Sequence, residues 1–164
     1  MQTRMTRAYL SAALASVLAV PLGGTVLAQS TDSQVGTWKL NLAKSKYSPG
    51  PAPKSATTKI EAVGAGTKIT VDQEQADGSM RHWESTANYD GKDNPVIGDN
   101  PNADMMARTR INATTIQTIS KKGGKVTTTQ TSKVSADGKT RTVTTKGVNA
   151  AGQTVHNVAV YDRQ

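Results

Sequence analysis

Apolar and polar residues alternate with a period of two along most of this chain, and helical 3-4 spacing never persists for three turns. A period of two sends successive side chains to opposite faces, so each run is read as a strand with one buried face. Residues 37–42 place Trp38, Leu40 and Leu42 on one side and Thr37, Lys39 and Asn41 on the other. A proline-rich connector follows at residues 48–53, stiff and poor in N–H donors. Further strands are expected over residues 57–63, 68–75, 80–89, 105–112, 115–121, 125–134, 139–147 and 154–162. Between them stand Asp77-Gly78, Gly123-Gly124, Asp137-Gly138 and Ala151-Gly152, where a hairpin needs positive φ.

Short spacing without crossover helices makes the neighbours antiparallel. A meander of this length would leave two raw edges, which closure removes. The expected fold is therefore all-β, an antiparallel up-and-down meander closing into a small barrel of about 8–10 strands. The Asp137-Gly138 hairpin predicts a register: Val134 opposite Arg141, Lys133 opposite Thr142, Ser132 opposite Val143. Val126, Val134 and Val143 then share one face. Lys125, Lys133, Lys146 and a ladder of threonines share the other. In the last hairpin Val158 and Val160 oppose Ala159 and Tyr161, and the register stays open at this stage.

Length allows one domain within these 164 residues. Residues 1–28 read as an export signal. Arg4 and Arg7 form the basic start, an apolar stretch runs from Tyr9 to Val20, and Pro21 with Gly23-Gly24 breaks it. Val26 and Ala28 supply the small cleavage pair, which places the cut between Ala28 and Gln29. The apolar run is shorter than the ~20 residues that span a bilayer, so no transmembrane span is expected after cleavage. The expected organisation is a signal (1–28), a short polar N-terminal tail (29–34) and one β-barrel domain (35–164), exported to the periplasm or secreted. Eighteen basic against 12 acidic side chains remain after Arg4 and Arg7 are lost, a net charge of +6 that permits weak contact with anionic envelope surfaces. Zero cysteines exclude disulfides and thiolate chemistry.

The run Gly36-Thr37-Trp38-Lys39-Leu40, with Val160-Tyr161-Asp162-Arg163 near the other end, resembles the calycin pattern shared by lipocalins and fatty-acid-binding proteins. Residues 36–46, Ser48-Pro49-Gly50-Pro51, Asn88-Tyr89-Asp90-Gly91-Lys92 and Lys121-Lys122-Gly123-Gly124-Lys125 are similar to small exported bacterial lipocalin-like proteins of unassigned function. That resemblance implies that Trp38 plugs the closed end of the barrel beneath Arg163, a cation–π contact of roughly 0.5–2 kcal/mol. It also marks a departure. Fatty-acid-binding proteins carry a carboxylate-holding Arg two residues before the final Tyr, where this chain has Ala159.

Catalytic signatures are missing: there is no G-x-S-x-G elbow, phosphate-binding glycine loop or H-E-x-x-H helix. His82 and Glu84 share a strand face without a third metal ligand, and the Asx-rich stretch 90–104 breaks the calcium-loop spacing at Lys92. No metal, cofactor or enzymatic activity is expected. Nucleic acid is not an expected partner either, because stacking rings do not recur along the basic face. On the expected strand 80–89, Arg81, Trp83, Ser85, Ala87 and Tyr89 alternate onto one face. If that face is internal, Arg81, Trp83 and Tyr89 form the ligand contacts of a barrel that binds a small hydrophobic or amphipathic molecule. The alternative is an envelope interaction protein with a filled barrel, presenting Lys125, Lys133 and Lys146.

Overall fold

Alternating Thr, Val and Ile runs form antiparallel strands in the computed structural model, which describes residues 32–164. The export signal and the Ala28/Gln29 cleavage site lie outside the described residues. The strands are β1 (Gly36–Leu40), β2 (Ser55–Val63), β3 (Gly66–Glu74), β4 (Met80–Asn88), β5 (Asp90–Pro95), β6 (Ile97–Gly98), β7 (Met105–Asn112), β8 (Thr115–Lys122), β9 (Lys125–Val134), β10 (Thr140–Val148) and β11 (Thr154–Arg163). One sheet holds all eleven, in the order β5-β7-β8-β9-β10-β11-β1-β2-β3-β4-β6. First and last strands pair, Trp38 opposite Arg163. The sheet curls into a nearly closed barrel, an architecture compatible with a lipocalin-like fold. Its seam runs between the β4/β6 edge and the β5/β7 edge, which no ladder joins.

Two strands exceed expectation. β5 and β6 lie in the Asp/Asn/Gly/Pro-rich stretch that composition assigns to turns. Tertiary pairing overrides that preference: β5 runs against β7 across a register shift, and Asp93 meets Lys121 at 2.6 Å. The expected Asp137-Gly138 register holds, with Val134, Lys133 and Ser132 opposite Arg141, Thr142 and Val143. Its connection is longer than a two-residue turn, since the Ser135 N–H closes onto the Thr140 carbonyl. The final hairpin sets Val158 opposite Thr144, with Ala159 and Tyr161 on the inner face.

Two sequence assignments to the inner face fail for local reasons. A register shift between Ser120 and Lys121 turns Val126 outward, leaving it 60% exposed rather than beside Val134. Leu42 is 42% exposed because the chain leaves β1 at a 3-10 turn, Leu42–Lys44, capped by the Asn41 side chain. Pairing with β11 resumes at Lys46, opposite Val158. The polar stretch before β1 is not a loose tail throughout: Gln34 is buried, and its amide donates to the Thr114 carbonyl at 2.9 Å.

The closed end holds an apolar core. Trp38, Ile60 and Val134 form its core, with Val35, Ile69 and Tyr161 against them. Gly36 sits at φ +142°, and a Cβ there would lie 2.3 Å from Arg163 Nη1. The backbone conformation and the guanidinium both exclude a side chain. Gly36→Ala is therefore expected to lower unfolding free energy by about 1–3 kcal/mol, the range of a strained backbone position. Urea denaturation checks this, and a variant as stable as wild type would refute it.

Candidate functional site: the barrel interior

Hairpin connections alternate between the two ends, so the chain builds a plugged end and an open one. At the plugged end the Arg163 guanidinium lies 4.1 Å from the Trp38 ring centroid. It donates to the carbonyls of Gly138, Val35 and Ser33 at 2.6, 2.6 and 2.8 Å. The Trp38 indole N–H donates to the Gln34 carbonyl at 2.9 Å. This is the contact that the Gly-Thr-Trp run and the terminal Arg imply.

Beside it, Asp32 accepts from Tyr89 Oη at 2.7 Å and from Arg110, whose guanidinium stacks 4.1 Å from the Tyr89 ring centroid. Burial raises the Asp32 carboxyl, but hydrogen bonds from Tyr89, the Gln34 N–H and Arg110, with the Arg110 charge, outweigh it and hold the group below its ordinary 3.8. A depressed carboxylate stabilises the fold above the unfolded-state value, and that contribution is lost as pH falls below 3.8 through the folded-state value. Asp32→Asn should thus cost about 1–2 kcal/mol at pH 7 and much less at pH 2.5. Chemical denaturation at the two pH values checks it, and an equal loss at both would overturn it.

Above this plug lies a cavity of about 240 Å³. Ile69, Val71 and Trp83 from β3 and β4 give it apolar lining, while β8, β9 and β10 contribute Thr118, Ser120, Thr128, Gln130 and Thr145, with Met106 beside Ser120. The mouth opens into a second space of about 240 Å³, framed by the proline-rich connector and by Asn149 and Gln153. Arg81, Arg108 and Arg141 line the main cavity, while no Asp or Glu does.

The strand face selected from sequence is indeed internal, but its three candidates part company. Arg81 and Trp83 line the main cavity. Arg81 sits near the mouth, its Nε 3.8 Å from Asp99. Tyr89 lies lower, on a small void of about 20 Å³ at the floor, and its hydroxyl is engaged by Asp32 and Thr67. It belongs to the plug.

Arg108 and Arg141 were not selected from sequence. Arg108, on β7, is 1% exposed. It reaches across the seam to the Thr67 carbonyl and hydroxyl at 3.1 and 3.0 Å and the Ser85 carbonyl at 2.6 Å. Burial pushes it down to about 10, so it remains cationic at neutral pH. Arg141, on β10, is 8% exposed, and its Nε donates to Ser132 Oγ at 2.8 Å and Gln34 Oε1 at 3.1 Å. No carboxylate of the described residues lies within ion-pair distance of either. One signal was available: the predicted pairing of Val134 with Arg141 already placed that arginine on the valine face.

Outside the barrel, Lys125, Lys133 and Lys146 are all exposed. They do not make one compact patch. Lys125 and Lys133 stand eight positions apart on β9, about 26 Å at strand rise. His82 Nδ1 meets Asp72 at 2.7 Å and Glu84 pairs with Lys68, so both face outward partners. Among the described residues no three His, Asp or Glu side chains form a metal-sized cluster, and no helix is long and apolar enough to cross a membrane. No protein-family model matches the chain, and no curated protein matches it.

Proposed function

We propose that this is an exported, non-enzymatic, lipocalin-like protein of the calycin type that binds a small, partly apolar molecule inside its barrel. The observation that carries the reading is the open-ended cavity of about 240 Å³, whose lining combines Trp83, Val71 and Met106 with a series of hydroxyls. Ligand sites in all-β proteins favour barrel mouths, and a mixed lining of this kind suits a molecule with an apolar part and a polar part. Trp38 and Arg163 serve by closing the far end; Arg81 guards the mouth, where it is drawn toward Asp99.

Native mass spectrometry of residues 29–164, isolated without denaturation and offered a metabolite and lipid extract, tests the reading. A defined adduct is expected, lost on unfolding and reduced at least tenfold by Trp83→Ala. A clean apo mass under all loading conditions would exclude interior binding. In that event the envelope-contact alternative would rest on Lys125, Lys133 and Lys146 alone. Their spacing along the barrel disfavours it as a single anionic-surface site.

A further inference from the structure

Arg141 presents a donor edge that the protein itself does not use. Its Nε is taken by Ser132 and Gln34, while its two Nη groups make no hydrogen bond to a described residue and border the cavity. The side chain is more than nine-tenths buried. Arg108 faces the same floor void, its charge balanced only by neutral acceptors, and its Nε is buried without a partner. Buried guanidiniums are ordinarily paired with carboxylates, because a lone buried charge is costly. Here two of them share a floor on which no acidic residue lies.

We infer that the cavity floor is a carboxylate subsite, in which the Nη fork of Arg141 binds the carboxylate of an amphipathic organic acid and Arg108 supplies a second positive charge behind it. The inference rests on the interior-binding reading above and names its ligand class. A planar fork of two parallel N–H groups matches a carboxylate bidentately. An acid held there by its head extends its apolar tail along Trp83, Val71 and Met106 toward the mouth. Arg81 stands at that mouth and favours entry of an anion. The arginines come from β7 and β10, not from the position two residues before Tyr161, which is Ala159.

The test compares acids with their neutral isosteres: octanoate with octanamide, and 3-phenylpropanoate with 3-phenylpropanamide, by calorimetry on residues 29–164. Each acid is expected to bind at least tenfold more tightly than its amide. Arg141→Met should lower acid affinity at least tenfold and abolish the acid's advantage over its amide, with a smaller loss for the amide. Arg141→Lys, which keeps the charge and loses the fork, should restore affinity only in part. In [1-13C]octanoate the bound carboxyl should titrate at lower pH than the free acid, a readout that a merely structural arginine would not move. Equal affinity for acid and amide would overturn the carboxylate subsite and leave interior binding standing. Parallel loss of acid and amide binding in Arg141→Met would show a structural role and overturn it too. Failure of all four compounds to bind would overturn the carboxylate subsite, while interior binding itself stands or falls with the adduct from the extract.

Discussion

Trp38→Ala is expected to remove about 3–5 kcal/mol of unfolding free energy, the range for deleting a large buried aromatic. Domains of this kind hold about 5–15 kcal/mol in all, so the loss is a large share of the total. Trp38 is 0% exposed and packs on Ile60 and Val134. Its removal also strands the Gln34 carbonyl that the indole N–H satisfies and takes the ring from beneath Arg163. The hole would open in the β1–β11 pair that closes the barrel, where Trp38 stands opposite Arg163. Urea titration followed by circular dichroism gives the number directly. A loss below about 2 kcal/mol would mean that the plug relaxes around the hole, and the account of the closed end would be wrong.

Replacing a buried arginine by methionine should have opposite consequences at two positions of this barrel. At Arg163 it removes a charged donor from three backbone carbonyls and the cation–π contact, for a loss of about 2–4 kcal/mol. At Arg141 it removes a charge that burial already pushes below its ordinary value, with Tyr161 and Tyr89 only partly offsetting that effect. A base whose charged form is disfavoured by the fold weighs against stability at every pH below its unfolded-state value, which includes neutral pH. Its two hydrogen-bond acceptors are not orphaned, since Ser132 Oγ still donates to Gln34 Oε1 at 2.9 Å. Arg141→Met should therefore be as stable as wild type, or up to about 2 kcal/mol more stable, while it loses its preference for acids. Parallel thermal melts of both variants decide the matter. If Arg141→Met melts well below wild type, Arg141 holds the fold and the floor is not built for a ligand.

The two arginines also show where sequence reading runs out. Arg141 was on the inner face by register, yet an arginine among valines in a one-dimensional pattern carries no sign that it lacks an ion-pair partner. That depends on which carboxylates twelve or more residues away fold beside it, and the nearest plug carboxylate, Asp32, goes to Arg110 and Tyr89 instead. The height of Tyr89 in the barrel escapes sequence for the same reason. Alternation predicted its face correctly, but its height along the barrel axis follows from the pairing of β3 with β4 and from the Asp32 carboxylate below. Arg108 lies within the expected strand 105–112, in the run Arg108-Thr109-Arg110. Alternation along β7 turns it inward with Met106, and the position of the seam decides that it meets the Thr67 and Ser85 carbonyls.

Local chemistry was sufficient for a good deal. Period two dictates strands, glycine-containing pairs mark hairpins, and the Asp137-Gly138 turn sets a register that puts Val134 and Val143 on one face. The pairing of Trp38 with Arg163 was legible from the resemblance of the terminal motifs. What tertiary structure alone decided was everything in which pairing energy outweighs residue preference. Asp- and Asn-rich segments became β5 and β6 because β7 and β4 offered open edges to them. Val126 turned outward because a register shift changes face without changing sequence. The barrel was left hollow and acid-free because strands far apart in the chain aim threonines and arginines, rather than bulky aliphatics, at a common axis.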